Sequence, residues 1–168
     1  MLTLTLTLLV QLAAAQENPN DLVTTPFGQM RNYTIQGLCQ AERIYIADIT
    51  DVESYEVTFS QRETIQSDVE LTIRAPLRGT FPSKVYIEQV FGGRIGDRTV
   101  RAFHTPVQPH IGKRYLLGQS HYFDHSGQRR WGVMASVEVD ASAEIPEDIR
   151  QQFEQYFADA CAPQSGAE

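Results

Sequence analysis

The 168-residue chain is poor in the residues and patterns that announce chemistry. It has no G-x-S-x-G around a serine, so the usual nucleophile elbow is excluded. It has no H-E-x-x-H, so a helical zinc-protease site is excluded as well. Gly92-Gly93-Arg94-Ile95-Gly96 has the glycines of a phosphate loop but neither the lysine nor a helical pattern after it, and it reads as a turn between strands. His121 and His125 are four apart, a spacing that places two ligands together on a helix. On a strand the same spacing separates them by ~13 Å. His104 and His110 lie in a proline-containing loop with nothing to bring them together. Carboxylates between Glu138 and Asp159 fit a solvated helix face. No residue is assigned as a catalytic group, a cofactor contact or a metal ligand, and no cofactor is expected.

Two further scarcities bound the compartment. No apolar run reaches the ~20 residues a membrane-spanning helix needs, so no transmembrane anchor is expected. There are only two cysteines, Cys39 and Cys161. Residues 1–15, MLTLTLTLLVQLAAA, are uncharged and apolar and end in small residues ahead of the polar QENPND, which is the pattern of a signal peptide cut before Gln16. The Leu-Thr alternation also has the period of a strand, but the AAA–Gln junction favours export. The expected protein is therefore secreted or periplasmic, where an even cysteine pair oxidises to a Cys39–Cys161 disulfide. Residues 16–38 read as a polar leader, 39–161 as the domain and 162–168 as a flexible tail. Asn32-Tyr33-Thr34 is a glycosylation sequon if the source is eukaryotic.

Charge is uneven. The net charge of −7 excludes a general nucleic-acid binder. From Glu138 to Glu168 there are eight acids against Arg150 alone, whereas Arg74 to Arg114 carries eight bases against Glu88 and Asp97. The basic stretch either neutralises the acidic C-terminal segment or forms an exposed face for an anionic partner. Arg94, Arg98 and Arg101 are the candidates for that face.

Period-two alternation predicts short strands at 43–50, 55–60, 68–74, 84–91, 98–103, 114–123 and 130–139, separated by Gly, Pro and Asp turns. Pro76 and Gly79 are expected to end the third. From Pro146, Ile149, Phe153, Tyr156, Phe157 and Ala160 recur at helical spacing, predicting one C-terminal amphipathic helix over 146–160. The expected fold is mainly β: a small closed or partly open antiparallel barrel, or a sandwich, with that helix across one face.

The order of motifs resembles a known family. CQAERIYIADIT, then Leu77-Arg78-Gly79, Gly92-Gly93, Pro109 and Gly112 to Leu117 (GKRYLL) resemble the OB-fold, netrin-like modules related to tissue inhibitors of metalloproteinases, and bacterial secreted proteins of the same layout. The resemblance implies a five-stranded OB-like barrel with a binding role and does not fix a partner. The inhibitors chelate a protease zinc through an N-terminal Cys-x-Cys. Cys39 is internal and has no such neighbour, so that mechanism is not carried over. The expectation is a secreted, non-enzymatic binding module for an extracellular protein or an anionic surface polymer. A lipocalin-like carrier of a small hydrophobic molecule is the alternative, although the Gly-x-Trp of that family is missing near the first strand. A metal-dependent enzyme is third.

Overall fold

A computed structural model describes residues 18–59, 61–101, 107–123 and 126–162. The proposed signal peptide, His104, His125 and nearly all of the expected tail lie outside them.

The first ordered element is a hairpin of β1 (Leu22–Thr25) and β2 (Gly28–Arg31), followed by α1 (Asn32–Gln40). The Thr25 hydroxyl shapes the turn, accepting from the Phe27 N–H at 3.1 Å and donating to the Gly28 carbonyl at 2.8 Å. The segment expected as a polar leader is thus part of the domain. Its average polarity conceals Phe27, Met30, Ile35 and Leu38, all buried. Asn32 is buried too, and its Nδ2, the atom a glycan would take, donates to the Asn18 carbonyl at 3.0 Å.

Two long strands follow, β3 (Arg43–Phe59) and β4 (Arg62–Arg78), then β5 (Val85–Phe91), β6 (Gly93–Ile95), β7 (Arg98–Val100), β8 (Arg114–Phe123), β9 (Arg129–Val139) and α2 (Ile149–Ala160). The main sheet is antiparallel and five-stranded, in the order β5-β4-β3-β8-β9, while β6 and β7 form a separate ribbon. The segments expected as strands at 43–50 and 55–60 are one strand. The ladder shifts register between Ile44 and Tyr45, between Ile46 and Ala47, and between Ile49 and Asp51. Each shift is a bulge that adds an unpaired residue and flips the side-chain phase. Hence Ala75 and Leu77 face one side of the sheet, while Ile73, Leu71 and Val69 face the other. Pro76, expected to stop β4, sits between two of these shifts opposite Tyr45, where a missing N–H is tolerated.

Both faces of the sheet are covered. Ile44, Ile46, Ala75, Leu77, Leu116 and Ala135 pack under α1, α2 and Phe27. Tyr45, Ala47, Ile49, Val69, Leu71, Tyr115 and Leu117 bury one another on the inner face. The free edges are β5 and β9, and no ladder joins them among the described residues, so the sheet is not a closed barrel.

The helix side is clamped at three points. Phe153 stacks on Phe157 with centroids 4.4 Å apart, and Phe27 meets Phe153 edge-on at 5.8 Å. The expected disulfide is present: Cys39 and Cys161 bond with Cα atoms 5.4 Å apart across 122 residues. It joins the ends of two helices, since Cys39 lies in the last turn of α1. Arg78 donates through one nitrogen towards the carbonyls of Leu38, Cys39 and Ala41 at 3.3–3.4 Å, filling acceptors that a helix C-terminus leaves open. The following Gly79 has φ +87°, and a Cβ there would meet the Glu42 carbonyl at 2.8 Å. α2 begins at Ile149 instead of Pro146, because residues 146–148 form the preceding turn, closed by an Ile149 N–H bond to the Pro146 carbonyl at 3.1 Å.

Candidate functional site

Arg94, Arg98 and Arg101 are all exposed, on or just after the β6–β7 ribbon. They are not equivalent. Arg98 pairs with Glu56 at 2.8 Å and donates to the Glu63 carbonyl at 3.1 Å, tying the ribbon to the β3–β4 arm. Arg94 folds back on the Gly96 carbonyl at 2.9 Å. The ribbon approaches the arm closely through Gly93: a Cβ there would lie 2.2 Å from the Ser67 hydroxyl and 2.6 Å from that of Ser54. Those two hydroxyls bond each other at 2.7 Å, and Ser67 donates to the Gly92 carbonyl.

Much of the remaining basic stretch is neutralised internally, chiefly by acids outside the C-terminal segment. Arg74 and Arg114 both bind Asp48, at 2.7 and 2.6 Å. Partial burial pushes the Asp48 carboxyl up, but the two guanidiniums outweigh it and hold the group below the ordinary carboxylate range. Lys113 pairs with Glu138, within the acidic segment, and Arg114 reaches the Ala143 carbonyl at 2.7 Å.

A second cluster, at the β8–β9 end of the sheet, was not legible from spacing. The register sets His121 opposite Trp131 and Arg43 opposite Gln119, so alternation puts all four on one face. The Arg43 guanidinium carbon lies 3.6 Å from the Trp131 ring centroid, a cation–π contact. The His121 ring lies 3.6 Å from the same indole. His121 Nδ1 is 3.0 Å from Glu42 Oε2 and 2.8 Å from an Arg129 nitrogen. The Glu42 carboxyl is held below its usual range, first by the His121 backbone N–H and then by the His121 ring. Beyond the stack, Tyr122 is 45% exposed and Phe123 74%. Tyr122 fits because Gly132 has no side chain: a Cβ there would be 2.8 Å from the tyrosine ring. The signal in the sequence was compositional, two aromatics beside the Arg129-Arg130-Trp131 run.

Under this end the inner face carries polar atoms among its apolar ones. Among the described residues, the Tyr45 and Tyr86 hydroxyls and Gln119 Oε1 are buried without a hydrogen-bond partner. Burial pushes the Tyr45 phenol up, and Glu88 and Tyr86 add to the effect. Burial pushes the Glu88 carboxyl up to about 7, against the opposing effect of a hydrogen bond from the Val133 N–H.

No group of three His, Cys, Asp or Glu side chains among the described residues could hold a metal ion. His121 is engaged as above and His110 is exposed. No helix among them is long and apolar enough to cross a membrane. Fold and site together define a mainly β, disulfide-bridged domain with an aromatic and arginine-rich end. The chain matches no protein-family model and no curated protein at a significant level.

Proposed function

We propose that the protein is an exported, non-enzymatic binding module with an OB-like, netrin-like barrel, and that its contact surface is the β8–β9 end. The partner class is an anionic extracellular polymer. The observation that carries the reading is the Arg43–Trp131–His121 stack with exposed Phe123 on the same face of β8. Planar rings and guanidiniums on one surface are the groups that stack on sugar faces and pair with sulfates or carboxylates. The sheet order supports the OB-like part, since the three-strand meander β3-β4-β5 is extended on the β3 side by β8 and β9. Export is supported by the apolar, uncharged start of the chain and by the disulfide.

Retention on immobilised heparin, a sulfated polysaccharide, tests the surface. Charge reversal of Arg129 together with Phe123→Ala should weaken binding by about tenfold or more, with the salt dependence of binding reduced. The same reversal at Arg94, Arg98 and Arg101 should cost less, because Arg98 is already paired with Glu56. Equal retention of the parent and the β8–β9 variant would sink the assignment, as would a larger loss from the ribbon variant.

A further inference from the structure

One atom at the β8–β9 end has two neighbours that make opposite demands on it. His121 Nδ1 lies 3.0 Å from Glu42 Oε2 and 2.8 Å from an Arg129 guanidinium nitrogen. An ionised carboxylate only accepts, so a bond to Glu42 needs a proton on Nδ1. A guanidinium only donates, so a bond to Arg129 needs the Nδ1 lone pair. The two bonds exclude each other.

We propose that His121 is a proton switch for the contact surface. A bare Nδ1 docks Arg129 against the stack, whereas a protonated Nδ1 bonds to Glu42 and releases Arg129. The rest of the cluster is held in place. Glu42 accepts from the His121 backbone N–H at 3.1 Å in either state, and its own N–H donates to the Gln119 carbonyl at 3.0 Å. The imidazole lies on Trp131 with ring centroids 3.6 Å apart, and Arg43 lies over the same indole. Arg129 is exposed at the start of β9, so it is the partner able to leave. Among the described residues, the charged groups around the imidazole are Glu42 ahead of β3, Arg43 on β3 and Arg129 on β9. β8 itself places Gln119 and Phe123 two residues to either side.

The sign follows. Protonation adds a positive charge beside Trp131 and frees Arg129 donors, which can then take two oxygens of a sulfate or carboxylate side by side. Histidine side chains change charge in the range of about pH 5 to 8. An anionic polymer should therefore be held more tightly on the acid side, and by linkage its binding should favour the protonated ring. That consequence rests on the binding surface proposed above, whereas the switch itself needs no ligand.

Nitrogen-15 NMR of the ligand-free protein reads the switch. At pH 8 the expected ring is the Nε2–H tautomer, with the Arg129 side-chain N–H slow to exchange. At pH 5 the ring should carry both protons, and Arg129 exchange, corrected for its intrinsic pH dependence, should be about tenfold faster. His121→Gln cannot change charge, and its Arg129 exchange should stay level. An Nδ1–H tautomer at pH 8 overturns the switch, as does a level wild-type profile or an equal rise in His121→Gln. Affinity for heparin at the same two pH values reads the consequence. It should be about threefold higher at pH 5 in the wild type and unchanged in His121→Gln. Arg129 release with no wild-type gain, or a gain that the variant shares, overturns the link to binding. Heparin that binds at neither pH would sink the surface assignment alone, because the tautomer and the Arg129 exchange are measured without it.

Discussion

The two faces of the sheet are built to different standards. On the helix side, rings stack on rings, a disulfide joins two helix ends, and Arg78 caps the carbonyls left over at α1. On the inner face, Tyr45, Leu71 and Leu117 are as fully buried as anything under the helices. Yet among the described residues the Tyr45 and Tyr86 hydroxyls and Gln119 Oε1 have no partner, and Glu88 has no counter-charge. Unsatisfied buried polar atoms cost stability, typically about 1–3 kcal/mol each. The helix side therefore supplies stability, whereas the inner face gives some up beside the end that carries the exposed aromatics. Local rules broken together in one place are a mark of function more often than of accident.

The largest effect should come from the helix side. Phe153 is 1% exposed and touches Phe27, Phe157 and the Arg78 guanidinium. Phe153→Ala should cost about 3–5 kcal/mol, seen as a lower urea midpoint at unchanged slope. A loss under about 1 kcal/mol would mean that the helices contribute little and that the contrast between the faces is drawn wrongly.

Removing the bridge comes next. Replacing Cys39 and Cys161 by serine should cost about 2–4 kcal/mol, less than the chain-entropy figure of ~5 kcal/mol for a loop of this length. The loss should be local first. Amides of both α1 and α2 should exchange faster, because the bridge ties these two helix ends together. Acceleration confined to α2 would show that Arg78 alone holds α1.

How much of this was legible in the sequence depends on phase. β8 and the α2 stripe were readable because no bulge interrupts the first and Phe153, Tyr156 and Phe157 keep helical spacing in the second. β3 and β4 were only partly readable: the extra residues at Thr50, Arg74 and Leu77 reset the alternation, so one ladder looked like several short strands. The β1–β2 hairpin and α1 were missed because four buried apolar residues, Phe27, Met30, Ile35 and Leu38, are diluted among polar neighbours. The disulfide was legible from the cysteine count and the expected compartment, but its partner helix α1 was not. The stack at Trp131 needed the β3–β8–β9 register, which no local pattern carries.

The smallest effect separates the two faces most cleanly. Tyr45 is 0% exposed, stacks on Tyr86 at 6.2 Å and meets Phe81 edge-on at 5.3 Å, so its ring is packed while its hydroxyl is orphaned. Tyr45→Phe keeps the ring and deletes the atom that is buried without a bond. Elsewhere in a core, removing a hydroxyl that bonds a partner costs about 0.5–1.5 kcal/mol. Here it should be neutral or stabilising, by up to about 1 kcal/mol, because nothing is left unpaired by the change. The measurement is the urea midpoint, taken below pH 6 and above pH 8. If the hydroxyl receives the Glu88 proton when that acid is neutral, the gain should appear only at the higher pH, where Glu88 has ionised and has no proton to give. A destabilisation at both pH values would show that the Tyr45 hydroxyl has a partner in solution, and the inner face would then be as well satisfied as the helix side.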